Sequence, residues 1–66
     1  MRTHRYRITI SGRLGPAAWE AFSGLDITRD GLATALAGEL DQAALHGALN
    51  RIRALGLELV GVDRLG

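Results

Sequence analysis

An α+β sandwich, one four-stranded antiparallel sheet with two helices on one face, is the fold that these 66 residues predict. Three observations carry it. The residues from Arg5 to Ser11 alternate between polar and apolar. An Asp30-Gly31 pair separates two short strand-like runs. The stretch from Glu39 to Leu65 reads as a capped amphipathic helix, a glycine stop and an apolar strand.

The first strand spans residues 5–11. Tyr6, Ile8 and Ile10 fall on one side, and Arg5, Arg7, Thr9 and Ser11 on the other, which is the period of a half-buried strand. Gly12 to Gly15 interrupts it. Pro16 then opens a short helix over residues 17–23, because the first helical turn tolerates a missing N–H. Trp19 and Phe22, three apart, share one side of that helix. Gly24 stands where a left-handed cap is expected.

A second strand follows over residues 25–29, with Leu25 and Ile27 on one face. Asp30-Gly31 suits a tight hairpin whose two central residues take positive φ. The third strand returns over residues 32–40. Leu32, Thr34, Leu36 and Leu40 share one face, and Ala33, Ala35 and Ala37 share the other. Asp41 is placed to cap the second helix. Leu45, Ala48, Leu49, Ile52 and Leu55 recur at helical spacing along one side of it. Arg51 and Arg53 lie near its C-terminus, where cations suit the helix dipole, and Gly56 stops it. Residues 57–62 form the last strand, with Leu57 and Leu59 on one face and Val60 and Val62 on the other. The expected core is Tyr6, Ile8, Ile10, Trp19, Phe22, Ile27, Leu36, Leu45, Leu49, Ile52 and Leu59.

The order β-α-β-β-α-β in a single domain, residues 1–66, is that of the ferredoxin-like split βαβ fold. The face away from the helices stays open, with the strand-one arginines beside the alanines of the third strand. A last strand that is apolar on both sides suggests that another chain covers part of this face.

Composition narrows the function classes. Eight arginines and no lysine balance seven acids for a formal charge of +1. Such an even balance argues against duplex DNA as a partner. The arginine-only usage reads as a high-GC coding bias. There is no cysteine, and the only histidines are His4 and His46, so neither a disulfide nor a metal cluster is expected. With those supports missing, self-association is the common remaining way to stabilise so small a core, and a dimer is favoured. No run approaches the roughly 18 apolar residues of a membrane span. The basic start MRTHRYR lacks a following apolar stretch, so no signal peptide is expected and the location is read as cytoplasmic.

The run DQAALHGALNRIRALGLELVGV, together with YRITISGRL, resembles short uncharacterised proteins of high-GC actinobacteria. More loosely, the order of elements is similar to that of ACT-type regulatory domains, which pair through their sheets and bind small ligands between subunits. That resemblance implies a homo-oligomer with a ligand site at the contact. ACT domains usually open the first helix with an acid and a Pro-Gly pair. Here the loop is Gly12-Arg13-Leu14-Gly15-Pro16, without the acid.

Four residues are candidates for ligand binding. Arg5 and Arg7 project from the same side of the first strand and suit a carboxylate or phosphate. Arg13 follows in the next loop. His46 shares a helix flank with Gln42, Leu49 and Arg53 and suits donor or acid–base work. The bland reading of the arginines is charge that keeps an open sheet soluble or pairs with Glu58, Asp26 or Asp63, and that of His46 is a solvated helix margin. No catalytic residue, metal ligand or cofactor is assigned. An RNA-binding sheet would show aromatics on its open face, where this one shows arginines and alanines. The leading reading is therefore a non-catalytic, self-associating accessory or binding module for a small anion or a protein. Its expected contact residues are Ala33, Ala35, Ala37, Val60 and Val62. A small oligomeric enzyme using His46, Arg5 and Arg7 at a subunit interface is the alternative, and nucleic-acid binding is third.

Overall fold

The computed structural model describes residues 2–66. Strand β1 (His4–Ser11) leads to helix α1 (Pro16–Ala21), then β2 (Asp26–Asp30), β3 (Ala33–Leu40), helix α2 (Gln42–Ala54) and β4 (Leu59–Arg64). The sheet order is β2-β3-β1-β4, with every neighbouring pair antiparallel. This is the ferredoxin-like α+β arrangement that the order of elements predicts.

Opposed residues of an antiparallel pair share a face. Ile8 pairs with Leu36 and Ile10 with Thr34, and all four are buried. Leu45, Ala48 and Ile52 of α2, with Phe22 from the end of α1, close over them. Each large apolar side chain so buried contributes about 1.5–3 kcal/mol. Thr34 is the one buried polar residue among those described; its hydroxyl donates to the Gly12 carbonyl at 2.6 Å.

Helix α2 has the ends its sequence implies. The Asp41 carboxylate accepts from the Ala44 N–H at 2.7 Å. At the other end Gly56 takes φ +72°. The Gly56 N–H donates to the Arg53 carbonyl and the Leu57 N–H to the Ile52 carbonyl. Those two bonds define a Schellman stop, and Leu57 returns to pack on the core. The Arg51 guanidinium donates to the Ala21 carbonyl at 3.2 Å, tying α2 to the end of α1.

Expectations are corrected at α1, at the hairpin and in β4. Helix α1 has only six residues, and Phe22 is its cap, outside helical geometry. The three-residue spacing therefore does not bring Trp19 and Phe22 to one side. Ala18 and Phe22 turn inward, and Trp19 is 50% exposed. Gly24 keeps a φ outside the left-handed region; the turn closes instead through the bond from the Leu25 N–H to the Phe22 carbonyl.

The hairpin also differs. Asp30 pairs with Ala33, so the turn residues are Gly31 and Leu32. Gly31 has φ +63°, and no non-glycine residue described has positive φ. Positive φ at the first central position alone is the pattern of a type II′ turn. Leu32 stands exposed at its tip.

Finally, β4 carries an irregularity. Ile10 pairs with Leu59 but Thr9 with Gly61, so Val60 is an extra residue. A bulge of this kind changes which side later residues take. Val62 consequently pairs with Ile8 on the helix-bearing face, not beside the alanines. Leu59, at the sheet edge, is 45% exposed rather than core.

Candidate functional site

The face of the sheet away from the helices is organised in rows. Asp26, Ala37, Arg7 and Asp63 form one row across β2, β3, β1 and β4. Thr28, Ala35, Thr9 and Gly61 form the next. Asp30, Ala33 and Ser11 form the third. The alanines make a low central strip between taller strands. A shallow trough of about 570 Å³ runs over it, bordered by Arg5, Arg7, Arg29, Asp30 and Asp63. Period-two alternation in β1 and β3 is what puts these side chains here.

Charge on this face is mixed and ordered. Basic groups of β1 stand on one side of the alanine strip and acids of β2 on the other. Arg5 reaches across to Asp26 at 3.6 Å. Both ends of that pair are more than half exposed, so it contributes only about 0–1 kcal/mol. Arg7 lies opposite Asp63 of β4 in the register. Arg29, from the edge strand, donates to the Gly31 carbonyl at 3.1 Å and so stays near the turn.

The structure brings Arg5 and Arg7 together with Ala35 and Ala37, as the alternation implies, and Ala33 continues the same strip. It does not bring the other candidates to them. Arg13 lies in the loop at the far end of β1 from Arg5. His46 is exposed on α2, within 3.2 Å of the Gln42 amide nitrogen, while Leu45, Ala48 and Ile52 of the same helix face the sheet. Within one chain the sheet separates His46 from Arg5 and Arg7. Val60 is exposed at the β4 bulge, and Val62 belongs to the other face. Asp26, Thr28, Asp30 and Asp63 are members of the face that sequence reasoning did not assign to the site, although it offered Asp26 and Asp63 as ion partners of the arginines, and Arg5 does pair with Asp26. For the three residues of β2 the signal is period-two alternation along the strand, and for Asp63 it is the β4 bulge.

Two other depressions lie on the helix side. One of about 330 Å³ sits between the end of α1 and α2, bordered by Phe22, Leu25, Leu40, Ala48 and Arg51. Another of about 300 Å³ is bordered by Leu49, Ile52, Arg53, Leu57 and Leu59. Neither contains a residue assigned to ligand binding. Among the described residues no group of three or more His, Asp or Glu side chains is placed to hold a metal ion. No helix among them is long and apolar enough to cross a membrane.

Fold and face together define a small ferredoxin-like domain whose uncovered sheet surface is patterned by charge. The chain belongs to the family described as Domain of unknown function (DUF8691), which matches residues 5–63. No curated protein and no solved structure matches it significantly.

Proposed function

We propose that the protein is a cytoplasmic, non-catalytic module that associates with itself through the open face of its sheet. A small anion or a protein segment would bind at the rim of that contact, where Arg5 and Arg7 stand. One observation carries the reading: the uncovered face has alanines at its centre and both signs of charge around them. Small side chains let a second backbone approach closely. They also make a poor outer surface for a core, since an alanine buries little area.

The cytoplasmic placement follows from the sequence reading. Light scattering over a concentration series tests the association. The apparent mass should rise with concentration in the native chain. Ala35→Arg sets a charge in the middle of the contact, where it has no partner. The substitution should weaken association by about tenfold or more while leaving the fold intact. A native chain that stays monomeric at every concentration would end this reading.

A further inference from the structure

We infer that the open face is complementary to itself: its occupant is a second copy of this chain, turned about a two-fold axis that runs along β3. The inference rests on the self-association proposed above and adds its geometry. Three rows are centred on an alanine of β3 and differ on their two sides; beyond them on the same face lies Glu39 of β3, opposite Arg5 of β1. Arg7 and Asp26 flank Ala37, Thr9 and Thr28 flank Ala35, and Ser11 and Asp30 flank Ala33.

An axis lying between two such sheets, parallel to β3, sets β3 over β3 and β1 over the partner's β2. Every row then meets its own reverse. Arg7 stands opposite the partner's Asp26, and Asp26 opposite the partner's Arg7. Thr9 meets the partner's Thr28, and Ser11 the partner's Asp30. Alanine meets alanine at the centre, and past Ala37 the Glu39 side chains of the two copies meet with an Arg5 on either side. The usual angle of about 30° between packed sheets leaves these partners within reach of an arginine. β4 overhangs the contact.

Other placements of the axis do worse. Parallel to the strands but over the gap between β3 and β1, it would set Asp26 against the partner's Asp63. Across the strands through the Ala35 row, it would set Asp26 against the partner's Asp30. Both bring acids together and leave Arg7 opposite a neutral residue, Ala37 in the first and Ser11 in the second, so neither offers the pairing of opposite charges that the axis along β3 gives.

The footprint is small. Three strands about 4.8 Å apart and five residues of about 3.4 Å rise cover less than the roughly 800 Å² per partner of a standard interface. Association in the micromolar range or weaker is therefore expected, and it should be measured from there upwards.

The test is sedimentation equilibrium on the native chain, on R7D, on D26R and on an equimolar mixture of the two variants. Circular dichroism checks that each variant folds. In either variant alone, like charges meet twice across the axis, so dimerisation should weaken by about tenfold or more. In the mixture the new carboxylate at position 7 faces the new guanidinium at position 26, while the native Arg7 and Asp26 face each other. Dimers should reappear, all of them mixed. A role of these residues within one chain predicts no such rescue.

A native dimer that persists in both variants would overturn this geometry while leaving self-association standing. Variants that separate but do not recombine would overturn it too. A native chain that never dimerises would remove the self-association reading itself, and this inference with it. If a charge reversal unfolds the chain, R7Q and D26N replace it, and each should weaken the dimer without abolishing it; unchanged association in both neutral variants would also overturn the arrangement.

Discussion

The side chain of Ile52 is buried in the cluster with Ile8, Ile10 and Leu36, and its carbonyl accepts the Leu57 N–H that closes α2. Ile52→Ala keeps the second role and loses the first. It should cost about 2–5 kcal/mol. In a domain of this size, whose core rarely supplies more than about 3–5 kcal/mol, that is enough to unfold much of the population. A thermal melt followed by far-ultraviolet circular dichroism checks it. Asp41→Ala is a milder case. It removes the 2.7 Å bond to the Ala44 N–H and leaves that donor to water. The expected loss is about 1 kcal/mol, read as a small drop in the urea midpoint with the slope unchanged.

At the scale of elements, what could be read in the sequence depended on length and on regularity. β1 alternates over eight residues and α2 repeats over thirteen, so each presents its buried face several times. Their caps follow from Asp41 and Gly56 for the same reason. α1 has one and a half turns, too few for a stripe to be defined, and the residue that matters most, Phe22, lies just outside it. The hairpin shows a subtler failure. Moving the turn from Asp30-Gly31 to Gly31-Leu32 shifts the β2–β3 pairing by two residues. A shift of two keeps every side chain on its face, so the open face was legible while its rows were not. Arg5, Arg7 and the alanines could therefore be assigned to the site, but Asp26 could not be placed beside Ala37. The β4 bulge left no mark in composition, and it is what moved Val62 to the other face. Gly31 provides the check on the turn itself. At φ +63° a β-branched residue is strained, although nothing lies within 4 Å of where its Cβ would stand. Gly31→Val should cost about 1–3 kcal/mol through the backbone alone, seen as a lower melting temperature. An unchanged melt would contradict the turn geometry.

At the scale of the whole molecule, the two edges of the sheet are unlike. β2 carries Asp26, Arg29 and Asp30, charges that discourage pairing with another strand. β4 carries the exposed Leu59, Val60 and Val62. The protein thus has two surfaces of different chemistry, a charged sheet face and an apolar edge. Salt tells them apart. At 1 M ionic strength the screening length falls from about 10 Å at 0.1 M to about 3 Å. Association through paired Arg7 and Asp26 should weaken when sodium chloride is raised from 0.05 M to 1 M. Association through the β4 edge should not. The apparent mass at fixed protein concentration in the two salts decides between them.

Trp19 is the only tryptophan of the chain, and half of its surface already meets water. Its emission is therefore that of a partly hydrated indole before anything unfolds. Loss of the fold changes its surroundings far less than it would for an indole sealed in a core. Helix α1 also lies across the sheet from the alanine strip, so two copies meeting there would leave the indole untouched. Intrinsic tryptophan fluorescence should therefore report the folding of this molecule only with a reduced change, and pairing through the alanine strip hardly at all.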